Sequence, residues 1–177
     1  MLNNIKEKIF EKHFVNCESA DLICNELNIK KRSEFSELTK QIDQEKKNEL
    51  KEMRRIRQLY HNKKGVDFEF KDFNEFYYWY ISQYKKQNRC CYYCKTEESI
   101  ITNLFEKKFT KIKRPNRGKH LEVERRDSKS NKYNKENCVL ACYFCNNDKS
   151  DIFSEDEYFE YLKDRKQFFF KQFELLK

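Results

Sequence analysis

Glycine and proline are nearly absent. The 177-residue chain holds two glycines, Gly65 and Gly118, and one proline, Pro115. No repeat or low-complexity tract is present, which excludes a solenoid or a compositionally biased linker. Gly65, in HNKKGVD, is the best candidate for a boundary. No run of about 18 apolar residues occurs, so no membrane-spanning helix is expected. The N-terminal MLNNIKEKIFEKHF lacks the apolar core of a signal peptide, and a cytoplasmic location is the expectation. Aliphatic content is low as well: mean hydropathy is −1.09. Phe, Tyr and Trp nevertheless supply 16% of the residues, and aromatic burial can replace aliphatic burial. Disordered chains are poor in aromatics, so this one folds.

What is abundant is charge and cysteine. The net charge is +8. Between Glu106 and Lys135 twelve Lys or Arg face four acids, so this segment carries the whole excess and the rest of the chain is neutral. A confined excess of this kind is an electrostatic footprint for a polyanion. Eight cysteines in an intracellular chain are poor candidates for disulfides, and four of them pair up as Cys91 with Cys94 and Cys142 with Cys145.

Residues 1 to about 62 read as helical. Phe35, Leu38, Ile42, Leu50, Met53, Ile56 and Tyr60 keep helical spacing, with a gap near Glu45 and Lys46. Upstream, Leu22, Ile23 and Leu27 suit one helix and Asn28 a turn into the next, an order shared by helix-turn-helix motifs and by plain helical packing. Asp72 with Glu75 predicts a capping box, followed by a stripe of Phe73, Phe76, Tyr77, Tyr80 and Tyr84. Ser154 with Glu157 predicts another, with Phe153 and Tyr158 as a hydrophobic staple. Tyr158, Tyr161, Leu162, Phe169 and Phe173 then line one face of a closing helix.

The spacing Cys91-x2-Cys94, 47 residues, Cys142-x2-Cys145 offers four thiolates to one tetrahedral ion, and zinc is the natural occupant. Four thiolates leave no open position, so the ion is expected to be structural and to replace core that a small aromatic domain lacks. Cys90 is an alternative to Cys91. Cys138 is expected to pack, and Cys17 and Cys24 to belong to the helical region.

Between the knuckles, KHLEVER reads as a strand, DSKSNKYNKEN as a polar loop, and CVLAC as a second strand that turns into a helix near Asn146. The unit is a compact ββα. Glu124 closes the first strand and Asn146 follows Cys145, so the two are expected to face each other. Glu122 is read either as orienting Arg125 or Arg126 or as facing solvent.

These residues resemble the HNH, or ββα-metal, endonucleases of the zinc-ribbon type. The counterparts of that family's pattern are CYYC, LEVER, ENCVLAC and CYFCNNDK, over roughly residues 72 to 160. The resemblance implies a catalytic divalent ion, Mg²⁺ or Mn²⁺, on Glu124 and Asn146, with Asn137 bracing the loop. It places Arg125 where the family has its catalytic histidine. A guanidinium keeps its proton and cannot serve as the base, but it can hold a phosphate by two hydrogen bonds. The base is then open among His120, which strand alternation puts on the side of Glu122 and Glu124, Tyr133, Tyr93 and a metal-bound water. Arg114, Arg117, Lys119, Arg126 and Lys149 are candidates for contacts to nucleic acid.

The expected fold class is α+β, a mainly helical chain with a zinc-stapled ββα-metal core. Residues 1–65 form an N-terminal helical region for a partner, a dimer contact or DNA, and residues 66–177 the nuclease domain. The expected function is a metal-dependent endonuclease acting on DNA, with RNA as the other polyanion, in a role such as restriction or phage defence. The alternatives are a zinc-stabilised nucleic-acid-binding module without chemistry and a zinc ribbon docking an acidic protein. Glu124 discriminates among them, because an acid within a basic patch repels phosphate unless a cation sits between.

Overall fold

The computed structural model describes residues 2–65, 67–107 and 117–163. The elements in chain order are α1 (Leu2–Ile9), a π-helical turn (Phe10–Val15), α2 (Ala20–Glu26), α3 (Arg32–Glu45), α4 (Lys47–Lys63), α5 (Phe73–Lys86), α6 (Glu98–Lys107), β1 (Glu122–Arg125), β2 (Cys138–Ala141) and α7 (Tyr143–Lys149). A further helix, α8, occupies residues 155–163. The class is α+β, with one two-stranded antiparallel sheet among the described residues. The chain divides into two compact units: Met1–Asn62 with Lys71–Tyr77, and Lys63–Phe70 with Tyr78–Lys177.

The first unit is built from amphipathic helices. Ile9, Ala20, Ile23, Ile29, Phe35, Leu38 and Ile42 form one buried cluster. Val15, Leu50 and Met53 form a second, with Phe73 and Tyr77 packed on it. The spacing gap near Glu45 is a real break: α3 ends at Glu45 and α4 starts at Lys47. Ile23 turns inward as expected, whereas Leu22 is 62% exposed. The predicted turn at Asn28 ends α2. Asn28 takes a φ of 56°, and the Ile29 amide donates to the Cys24 carbonyl at 2.9 Å. Asparagine here fills the left-handed position that glycine usually takes at a helix C-terminus. A glycine-poor chain can therefore still stop its helices. The Asp72–Glu75 box is present, with the Glu75 amide on Asp72 Oδ1 at 2.9 Å and the Lys71 amide on Glu75 Oε2 at 2.7 Å.

The second unit carries the sheet. The register pairs Glu122 with Ala141, Val123 with Leu140, Glu124 with Val139 and Arg125 with Cys138. Asn88, at φ 50°, ends α5 as Asn28 ends α2, with the Arg89 amide on the Tyr84 carbonyl at 2.9 Å. That turn delivers the chain to the first cysteine knuckle. Aromatic rings fill the interior: Tyr93 meets Tyr158 edge to face at 5.0 Å between centroids. The α8 box is formed, with the Ser154 amide on Glu157 Oε2 at 2.8 Å, and Phe153 lies 6.0 Å from Tyr158. Phe169 and Phe173 lie outside the described residues. Gly118 has a φ of 84°, and a Cβ there would lie 2.3 Å from the Phe105 ring, so both backbone and space require glycine.

Candidate active site

The four cysteines come together. One sulfur from each of Cys91, Cys94, Cys142 and Cys145 lies within 4.8 Å of the others, and all four residues are buried. A tetrahedral ion with sulfurs at about 2.3 Å needs sulfur–sulfur edges of about 3.8 Å; Cys94 and Cys142 are 3.9 Å apart. Cys91 belongs to the cluster and Cys90 does not. Backbone amides already aim at the sulfurs: Cys142 N–H donates to Cys91 Sγ at 3.2 Å and Cys145 N–H to Cys142 Sγ at 3.4 Å. Hydrogen bonding from the Cys142 thiol holds the Cys94 thiol below its ordinary range. The bond with Cys145 pushes Cys142 up. Four thiolates packed this closely together require a cation. Cys138 is buried on β2 outside the cluster, where burial pushes its thiol up to about 12.

Cys142 is also the N-cap of α7, its sulfur accepting from the Cys145 amide. The helix therefore begins at Tyr143, and Asn146 sits one turn inside it and not at its start. This placement sets a ladder between α7 and β1. Asn146 Nδ2 donates to Glu122 Oε2 at 2.6 Å. Lys149 Nζ lies 3.5 Å from Glu124 Oε1. Residues three apart on a helix advance about 4.5 Å along one face, and residues two apart on a strand about 6.6 Å on one face. Two rungs follow: the hydrogen-bond partner of Asn146 is Glu122 and the ion-pair partner of Glu124 is Lys149, so Glu124 and Asn146 sit one rung apart with no direct bond between them. Glu122 also grips Arg117, with Nε at 3.1 Å and Nη2 at 2.8 Å. The Arg117 guanidinium lies over the Tyr143 ring. Asn146 Oδ1 accepts no hydrogen bond from the described residues.

Glu124 is 7% exposed and Lys149 fully buried. Lys149 donates to Ser128 Oγ at 2.8 Å, and Ser128 in turn to the Ser150 carbonyl at 3.0 Å. Burial pushes the Glu124 carboxyl up to about 7, against the pull of Lys149, Lys63 and Arg125. Desolvation thus outweighs the pull of three cations in setting this carboxyl's affinity for a proton. Arg125 lies over the Tyr133 ring at 5.0 Å. Lys63 lies over the same ring at 4.8 Å and donates to its hydroxyl at 3.1 Å. The Arg125 Nε is buried and has no hydrogen-bond partner among the described residues.

Asn137 spans the loop between the strands. Its Nδ2 donates to the carbonyls of Asp127 and Lys132, each at 2.9 Å, and its Oδ1 accepts the Asp127 amide at 2.8 Å. From outside, Phe68 bridges to Tyr133 and Lys132 pairs with Glu69 at 2.7 Å. The loop is therefore fixed on both sides.

His120 is placed elsewhere. Its Nδ1 lies 3.2 Å from Glu98 Oε1, which also takes the Leu121 amide at 2.8 Å; the Tyr84 hydroxyl donates to Oε2. Burial would raise the Glu98 carboxyl, but His120, Tyr84 and Leu121 outweigh it and hold it below the usual carboxylate range. Of the residues expected to meet nucleic acid, each described one already has an acidic neighbour. Arg117 is on Glu122, Lys119 lies 3.7 Å from Glu106, Arg126 makes a two-point bond to Glu155, and Lys149 is beside Glu124. Arg114 lies outside the described residues. Sequence reasoning did not foresee Glu98, Ser128 and Glu155, and left Glu122 open. The available signal for Glu122 was periodicity: Glu122 and Glu124 at strand spacing against Asn146 and Lys149 at helix spacing.

No protein-family model matches the chain, and no curated protein matches it. A solved structure does: that of the rare-cutting HNH restriction endonuclease PacI, at 25% identity, over 64% of this chain and 73% of that one, with a TM-score of 0.46. A TM-score this low assigns neither fold nor activity.

Proposed function

We propose that the second unit is an HNH-type, metal-dependent endonuclease that hydrolyses phosphodiester bonds of DNA, with a structural zinc on Cys91, Cys94, Cys142 and Cys145. The observation that carries this reading is Glu124: a buried carboxylate on β1, 3.5 Å from the Lys149 ammonium of α7 and one rung from Asn146, inside a strand–loop–strand–helix unit stapled at a four-cysteine cluster. Such a group is completed by a divalent ion. Glu124 and Asn146 Oδ1 supply the hard oxygen donors that Mg²⁺ or Mn²⁺ prefers. Glu122 supports the arrangement by taking the amide end of Asn146, which leaves the oxygen end available. A divalent ion bound there polarises the scissile phosphate and stabilises charge on the leaving oxygen. Arg125 holds a non-bridging oxygen and offsets transition-state charge. Asn137 keeps the loop that carries Asp127 and Tyr133 in place. His120, held through Nδ1 by Glu98 and preceding Glu124 by about 13 Å of extended chain, is one candidate for the base, beside Tyr133, Tyr93 and a metal-bound water. Residues 1–65 are assigned to a partner, dimer or DNA contact, and the biological setting to restriction or phage defence.

One observation favours a second reading, a zinc-stabilised binding module without chemistry. Lys149 already provides Glu124 with a buried cation at 3.5 Å, so the acid has a structural explanation. Supercoiled plasmid incubated with Mg²⁺ or Mn²⁺ separates the two. Wild type is expected to nick, and Glu124→Ala and Asn146→Ala to slow nicking by about 10²–10³-fold, the scale of losing one preorganised charge-stabilising group. Equal cutting by the variants, or none by wild type with any divalent ion, overturns the nuclease reading. Cutting by His120→Gln at the wild-type rate removes His120 as the base.

A further inference from the structure

Apart from β1 and its ladder, the second unit has a groove of about 360 Å³ at the first knuckle. That volume is at the lower end of the range of about 300–1,000 Å³ that compact ligands occupy. Four cations line it, Lys86, Lys95, Arg126 and Lys135, against one acid, Glu136, with the Tyr92 ring among them. Four parts of the chain contribute, Arg126 coming from just after β1. Lys86 comes from the end of α5, Tyr92 and Lys95 from the knuckle, and Lys135 from the loop before β2.

The cations are not equivalent. Arg126 is neutralised by Glu155. Lys86 and Lys95 are exposed, and neither has an acidic partner among the described residues. Lys95 instead rests over the Tyr92 ring at 4.8 Å. Tyr92 itself is anchored: its amide donates to the Leu140 carbonyl at 2.9 Å, and its ring packs edge to face on Tyr93 at 5.2 Å. A rigid aromatic ring beside Lys86 and Lys95 is the combination that grips a nucleic-acid strand with an unpaired base, the ring taking the base and the ammonium groups the phosphates. A paired duplex base offers no face to such a ring.

We propose that this groove binds a single-stranded nucleic-acid segment, with one base on Tyr92 and the neighbouring phosphates on Lys86, Lys95 and Lys135. Lys95 leaves the ring for a phosphate as the base stacks. The proposal rests on the nucleic-acid reading above and adds to it a surface and a strand form. Arg126, two residues after Glu124, lines the groove, so the groove is joined to the end of β1.

The test is fluorescence anisotropy of the full-length, zinc-loaded protein with labelled 12-nucleotide DNA single strands, the matching duplex and the matching RNA, without Mg²⁺ or Mn²⁺. Wild type is expected to bind single strands more tightly than duplex. Lys86→Ala with Lys95→Ala should weaken single-strand binding about tenfold at low salt and reduce the salt slope by about 1.4, or about 0.7 per phosphate released. Tyr92→Leu should lose at least about fivefold on single strands, with duplex binding unchanged and Tyr92→Phe restoring wild-type affinity. RNA bound as tightly as DNA keeps the site and removes sugar discrimination. An unchanged affinity and salt slope in the lysine variant overturns the proposal, as does an equal loss on duplex and single strand in Tyr92→Leu. The plasmid assay keeps the two readings apart. Groove variants that weaken binding in a protein that never nicks would leave this site standing and the nuclease fallen. Groove variants without effect in a protein that nicks would do the reverse.

Discussion

The two units solve the same problem by different means. The first buries Ile, Leu, Val and Met on amphipathic helices, in clusters around Ile42 and Leu50. The second contains a sheet of only four residues per strand, edge-on aromatic rings, and four thiols within 4.8 Å. Area-proportional burial stabilises the first, and its contribution is spread over many residues. The second buries apolar surface too, on α5, α6 and α8, but its two short strands and seven-residue α7 cannot hold one another in place by burial alone, and the four-cysteine cluster sits where they meet. The difference teaches where precision is needed. The second unit fixes Asn146 against Glu122 at 2.6 Å and Lys149 against Glu124 at 3.5 Å; the apolar helix packing of the first has no such requirement.

The largest effect that would break this comparison is on the cluster. Cys142→Ser, or chelation of wild type, is expected to abolish protection from hydrogen exchange over residues 78–107 and 117–163, since structural zinc contributes about 10–16 kcal/mol in small zinc domains. Protection over residues 2–62 should persist. Uniform loss, or none, would show that the two units are not stabilised differently.

Next is the buried ion pair. Lys149→Ala strands the Glu124 carboxyl and leaves a hole, and should cost about 3–5 kcal/mol by denaturant melts. In the first unit, Leu50→Ala should cost about 3 kcal/mol, and by the same measurement be insensitive to chelator. A chelator-dependent Leu50 effect would tie the first core to the metal.

The smallest effect is the acid response of the second unit. Glu98 is held below the ordinary carboxylate range in the folded state. Its contribution is therefore complete above the unfolded value near 4.5 and is lost as pH falls through the lower folded value. Glu98→Gln should lower stability at pH 7 by about 1–2 kcal/mol and flatten the decline of melting temperature below pH 4.5. A parallel decline in both proteins would remove Glu98 as its source.

Several features were legible in the sequence because they depend on neighbours along the chain. The α3–α4 break at Lys46, the Asp72 and Ser154 capping boxes, the turn at Asn28 and the strand–loop–strand–helix order all follow from residues within about five positions of each other. The cysteine spacing was legible for a similar reason: thiolates pair in knuckles, so only the distance between knuckles is long-range. The partners of Glu122, Glu124, Arg126 and His120 were not legible. Each is met across 22 or more residues: Asn146, Lys149, Glu155 and Glu98.

The sequence by itself thus determined the composition of the site: four thiols at zinc spacing, two acids alternating on a strand with an arginine directly after the second, and an Asn and a Lys one helical turn apart. Only the tertiary structure decided which acid meets which helix residue. That choice turns on where α7 starts, and Cys142, as both cluster member and N-cap, starts it at Tyr143. Three residues of helix separate that start from the one expected at Asn146. They are enough to give Asn146 to Glu122 and to bury Lys149 against Glu124, because a helix rotates its face by about 100° per residue while a strand simply alternates.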